Sequence, residues 1–144
     1  PYSTPPGGET VRLRVISDGM VRGVPRSDCV GFRLPGAGVV VAARDGYANR
    51  NGESLGMAAP QTPAVPGTRT EVLVPAGQPM AFHYLGNQCY NLFSFVPKAG
   101  MDYQLEASGM YKCAVMLKQA PLGSKEYAAA PLKDSKLCRV TDNL

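Results

Sequence analysis

From Thr10 onward the chain is built of short runs in which apolar and polar residues trade places, cut at frequent intervals by Gly, Pro, Asn and Asp. Val11, Leu13 and Val15 interleave with Arg12, Arg14 and Ile16. That period of two predicts a strand with one apolar face turned inward and two arginines turned outward. Asp18-Gly19 is a turn dipeptide, and Met20 to Val24 returns as a second strand that Pro25 stops. Cys29 to Leu34 predicts a short strand closed by Pro35-Gly36-Ala37-Gly38, and the β-branched run Val39 to Val41 suits a fully buried one. Thr70 to Pro75, Met80 to Leu85, Tyr90 to Val96, Met101 to Ala107 and Met110 to Lys118 follow. Ser124 to Ala130 predicts a single helical turn with Ser124 as N-cap and Pro131 ending it, and Leu137 to Thr141 a last strand. Short strands at regular spacing predict an all-β fold, an antiparallel two-sheet β-sandwich of about 7–9 short strands, rather than parallel βαβ units.

Two stretches break the pattern. Pro1 to Gly8 holds three prolines and two glycines with almost nothing to bury, which predicts a flexible tether over residues 1–9 and a single folded domain over 10–144. Asp45 to Gly67 contains Gly46, Asn49, Asn51, Gly52, Gly56, Pro60, Pro63 and Pro66 without strand or helix periodicity. A structureless loop of that length inside a compact domain is usually functional or disordered.

Composition narrows the class. At 144 residues, one core is available. A net charge of +4 and a pI near 9.0 arise from basic residues scattered along the chain rather than gathered in runs, a weak signal for nucleic acid. Cys29, Cys89, Cys113 and Cys138 make an even count without CxxC or Cys/His spacing, so two disulfides are expected, and with them an oxidising compartment. Four cysteines allow three connectivities. Pairing Cys29 with Cys89 and Cys113 with Cys138 is favoured here, because the second bridge would pin an otherwise loose C-terminal segment. With no initiator Met, the chain reads as an exported domain.

Candidate chemistry is sparse. Gly52-Glu53-Ser54-Leu55-Gly56 matches GxSxG literally, but a nucleophile elbow needs a strand-to-helix turn in an α/β sheet, and Ser54 lies in a Gly/Asn-rich loop. His83, the one histidine, reads as a surface or satisfied inner residue of a strand. Asp45 and Glu53 flank one loop, as many surface acids do, and an EF-hand register over Asn49 to Gly52 puts Tyr47 and Ala58 where ligands are required. No catalytic residue, cofactor or metal is expected. Asp45, Tyr47, Asn49, Arg50, Asn51 and Glu53 instead combine aromatic, arginine and adaptable polar side chains, the composition of a loop that docks a protein partner.

The chain resembles small proteobacterial periplasmic lipoproteins of the outer membrane that carry a β-sandwich domain, with a fainter likeness to the immunity-type members. The likeness rests on Val11-Arg12-Leu13-Arg14-Val15, Ser27-Asp28-Cys29, Pro35-Gly36-Ala37-Gly38-Val39, Leu55-Gly56-Met57, Val74-Pro75-Ala76-Gly77-Gln78-Pro79, Phe95 to Tyr103, and Lys112-Cys113. It covers about residues 1 to 118. It implies a domain facing the periplasm, held through a lipidated cysteine preceding the Pro-rich start, which would be its only membrane contact. The functional expectation is a non-enzymatic periplasmic binding protein, foremost an immunity-type inhibitor. Asp45 to Ala59 would occlude the acidic active-site cleft of a secreted cell-envelope-targeting toxin such as a type VI secretion effector, with Tyr47 and Arg50 as anchors. The alternatives are a lipoprotein subunit of an envelope secretion or assembly machine, and a peptidoglycan- or lipopolysaccharide-binding module using Arg12, Arg14, Arg22 and Arg33.

Overall fold

The structure, a computed structural model, describes residues 1–60 and 65–143; residues 61–64 of the long loop lie outside the described residues. Ten strands form among these: β1 (Thr10–Ser17), β2 (Met20–Val24), β3 (Gly38–Ala42), β4 (Thr68–Pro75), β5 (Met80–Leu85), β6 (Tyr90–Phe95), β7 (Met101–Ser108), β8 (Ala114–Pro121), β9 (Ala128–Ala130) and β10 (Lys133–Asp134). They make two five-stranded sheets, in the orders β4-β1-β7-β8-β9 and β10-β6-β5-β2-β3. Every pairing is antiparallel except β1 with β7.

The period-two reading decides the core. Val11, Leu13 and Val15 of β1, Tyr103 and Leu105 of β7 and Leu117 of β8 face Val21, Val40, Met80, Phe82, Tyr84, Phe93 and Phe95 of the second sheet. An aromatic stack runs through the middle, with Phe82 5.3 Å from Phe93 and 5.8 Å from Phe95, and Phe95 5.0 Å from Tyr103. Such pairs add to the burial energy that drives the sheets together.

Several expectations give way to longer-range contacts. The disulfides are Cys29–Cys138 and Cys89–Cys113, not the favoured pairs. Cys89 ends the β5–β6 turn and meets the β7–β8 loop, while Cys29 lies on the segment that the C-terminal tail crosses. Closing loops of 109 and 24 residues contributes about 5 and about 3 kcal/mol in the chain-entropy account. Cys29 to Leu34 forms no strand: Val30 makes an isolated bridge to Leu137, its N–H donating to the Lys136 carbonyl. Leu137 to Thr141 is likewise that bridge followed by a 3-10 turn at Val140–Asp142. The stretch from Ser124 is not helical, because its end pairs with β8 as β9.

The N-terminal segment also departs from expectation. Tyr2 is 1% exposed, its N–H donating to Val39 and its hydroxyl to the Leu73 carbonyl, and burial pushes its pKa up to about 12. Gly38 permits this docking: a Cβ there would stand 2.4 Å from the Pro1 carbonyl.

Candidate protein-binding surface

The two sheets turn very different outer faces to their surroundings. On the β4-β1-β7-β8 face many of the outward positions carry charge, beside exposed Leu73 and Met116. The Arg12 Nε and Nη2 donate to both oxygens of Asp102 at 2.8 and 2.7 Å, and Asp102 also accepts the Gly123 N–H at 2.9 Å. The Arg14 guanidinium donates to Glu71 at 2.9 Å and to Gln104 at 2.9 Å; Gln104 donates to Glu106, which pairs with Lys118 at 3.0 Å. Arg14, Glu71, Asp102 and Gln104 are all buried. What buries Arg14 and Glu71 is the long loop: the Leu55 and Met57 N–H groups donate to the other oxygen of Glu71, and Arg14 donates to the Met57 and Ala58 carbonyls. Burial pushes the Glu71 carboxyl up, but those two N–H donors and Arg14 outweigh it and leave the group below its usual range.

The six residues expected to meet a partner therefore divide. Arg50 donates from its N–H to Val40 and from Nε to the Tyr2 carbonyl, and its own carbonyl accepts the Thr70 hydroxyl. Asn51 both accepts from and donates to Ala42, and Asn49 accepts the Asn51 N–H. Glu53 is exposed and pairs with Arg50 at 3.4 Å, while its backbone carbonyl accepts the Glu71 N–H. These residues tie the β3 and β4 edges to the loop. Asp45 and Tyr47 remain outward, Tyr47 48% exposed. Ser54 lies over the charged face and His83 on the opposite sheet, so the two do not converge. Asp45 sits on the exposed turn after β3, while Glu53 is paired with Arg50. Of the arginines considered for polymer binding, Arg12 and Arg14 are neutralised by Asp102 and Glu71, and Arg33 is exposed next to Phe32. Among the described residues no cluster of three or more His, Cys, Asp or Glu stands ready to hold a metal.

The outer face of the other sheet is apolar and half covered. Segment 25–37 and the C-terminal tail, joined by Cys29–Cys138, lie over Val24, Ala81 and Leu92. The Phe32 N–H donates to the Asn143 side chain, which donates in turn to the Val30 carbonyl. Beyond that cover the sheet is open. Arg22, His83, Leu85 and Tyr90 share one face because Arg22 stands opposite His83, and Leu85 opposite Tyr90. Phe32 closes the row, its ring 5.6 Å from His83 and 4.7 Å from the Arg22 guanidinium carbon, with Tyr90 6.3 Å from His83 on the other side. Phe32 is 39%, Leu85 44% and Tyr90 68% exposed. Among the described residues the buried His83 Nδ1 has no hydrogen-bond partner, and burial first, then the charge of Arg22, lowers the ring's pKa.

The Cys89–Cys113 bridge stiffens the end of this face. Asn87 accepts the Tyr111 N–H, and Asn91 donates to the Cys113 carbonyl. Tyr111 takes a φ of 63°, a region bulky side chains rarely enter, and Met110 and Tyr111 stand 60% and 69% exposed. A groove of about 430 Å³ runs from Leu85 and the Gly86–Gln88 turn past Asp18 to Arg44 and Tyr47. It brings Tyr47, the aromatic residue singled out in the loop, to the same end as Leu85. Asp18 is held by the Tyr84 hydroxyl and the Gly109 N–H. Phe32, Leu85 and Tyr90 escaped the sequence reading, although an apolar residue at the outward position of Met80–Leu85 was the available sign.

These features define a disulfide-stapled all-β sandwich with one strapped polar face and one open aromatic face. Compared with known proteins, the chain matches no protein-family model, no curated protein and no solved structure. The two disulfides point to a location outside the cytoplasm, and no helix among the described residues is long and apolar enough to cross a membrane.

Proposed function

We propose that the protein is a non-enzymatic binding module of the periplasm that grips a protein partner through Phe32, His83, Leu85, Tyr90 and the neighbouring Met110–Tyr111 tip. The observation that carries this reading is the open aromatic row with Arg22 stacked in it. Contiguous exposed apolar surface is uncommon on a soluble monomer, and aromatic residues with arginine are the side chains that dominate interface energetics. Arg22, set within the row, adds a positive charge that an acidic partner would complement. A secreted envelope-targeting toxin is the partner that best suits a basic, disulfide-braced module, so inhibition by an immunity-type mechanism is the sharpest form of the proposal. The contact moves from the loop to the sheet face, since the loop's arginine and asparagines already serve the fold.

Titration of the purified protein against envelope-targeting hydrolases encoded beside it tests this. Stoichiometric inhibition that weakens at least tenfold with Tyr90→Ala or Phe32→Ala supports it. Binding to none of them removes the inhibitor reading. A photo-crosslinker at Tyr90 then separates the rivals: capture of membrane machinery favours a secretion or assembly subunit, whereas salt-sensitive affinity for purified peptidoglycan or lipopolysaccharide without a protein adduct favours the polymer-binding module.

A further inference from the structure

A second site lies on the side where the two sheets part, away from the aromatic row. Between β6 and β10 on one sheet and β8 and β9 on the other is a cleft of about 630 Å³, within the size range of small-molecule sites. Phe95, Tyr103 and Leu117, which continue the aromatic stack of the core, lie at its floor, and Val96, Ala130 and Pro131 present its accessible apolar surface. The Tyr103 hydroxyl accepts the Lys98 N–H at 2.9 Å, so its polar tip already has a partner within the fold.

Polar groups converge above this floor without partners of their own. Gln119 stands opposite Tyr103 and shares the inward side of β8 with Leu117, and its amide has no hydrogen-bond partner among the described residues. Lys98, Lys133 and Lys136 line the rim, and none has a carboxylate within salt-bridge distance among the described residues. Asp28 and Asp134 also line it, leaving the rim with a net positive charge.

We infer that this cleft binds a single-chain anionic amphiphile, its hydrocarbon tail against Val96, Ala130 and Pro131 and its carboxylate or phosphate head held by Gln119 and the three lysines. The tail gains by leaving water, and the head finds charge-assisted donors that the fold does not otherwise occupy. The site is independent of the aromatic row, and failure of either reading leaves the other standing.

Calorimetry of the whole protein with dodecanoate, dodecyl phosphate, dodecyl maltoside and inorganic phosphate, each below any micelle concentration, tests it. The expected result is binding of the two anionic amphiphiles at least tenfold tighter than the neutral one, with none of phosphate alone. Lys98→Gln/Lys133→Gln/Lys136→Gln, all at exposed positions, should erase that preference while leaving the urea midpoint unchanged. Ala130→Trp, which narrows the cleft, should weaken every tailed ligand. Equal affinity for charged and neutral heads, an anion preference that survives removal of the lysines, or no binding of any amphiphile overturns the inference. Fatty acid and phospholipid sources are told apart by which of the two anionic probes binds more tightly.

Discussion

The two outer faces of this sandwich are built on the same alternation, yet one is sealed and the other open. On the β1-β4-β7 side Arg12, Arg14, Glu71 and Asp102 face outward, and the loop between β3 and β4 folds back, its N–H groups donating to Glu71 and its carbonyls accepting from Arg14. On the β2-β5-β6 side the outward residues are mainly aromatic and aliphatic, with Arg22 among them, and the covering segment stops at Phe32. The contrast runs against the simple rule that apolar surface is covered and charge left to water. A buried ion pair must have every hydrogen-bonding position satisfied, and a strap of backbone meets that need with its own N–H and C=O groups. Apart from the His83 Nδ1, the aromatic face carries no such requirement and stays available to another molecule.

The contrast breaks most severely at Arg14. Arg14→Ala leaves Glu71 buried without its counter-charge and should cost about 3 to 5 kcal/mol, read as a lower urea midpoint. The double change Arg14→Met/Glu71→Leu should recover most of that loss, since well-packed apolar residues often replace a buried pair without penalty. Opening Cys29–Cys138 with Cys29→Ser/Cys138→Ser should cost about 2 to 5 kcal/mol and release the cover over Val24, Ala81 and Leu92, read as faster amide exchange there.

Acid sharpens the comparison, because each face titrates in its own window. His83 has a folded pKa below its ordinary value of about 6.5. The unfolded chain therefore takes up the proton first, and the stability present above that pH declines as pH falls below it. Glu71 is likewise held low, so its contribution persists until pH falls below the ordinary carboxylate range. His83→Gln should flatten only the upper part of the stability profile, and Glu71→Gln only the lower. The smallest effect on folding is expected on the open face. Tyr90→Ala should shift stability by no more than about 0.5 kcal/mol, since a largely exposed ring contributes little to the fold, while strongly weakening partner binding.

Met80 to Leu85 is a strand in both sequence and structure, and the inward positions of β1 follow directly from its alternation. Arg12 and Arg14 were legible as outward-facing. Their neutralisation was not, because Asp102 lies 90 residues from Arg12 and Glu71 lies 57 from Arg14. Arg50 and Asn51 read as adaptable loop residues for the same reason, their acceptors Tyr2, Val40 and Ala42 being invisible to local pattern.

The order of residues alone determined the all-β class, the strands that carry the core and the use of cysteine as a cross-link. Each depends on side-chain parity within a few residues or on counting a residue type. Tertiary structure alone decided which cysteines join, where Tyr2 is seated, which face is strapped and which left open. Those outcomes depend on which distant segments meet once the sheets have closed, and hydrogen-bond satisfaction and packing set them only when both partners are in place.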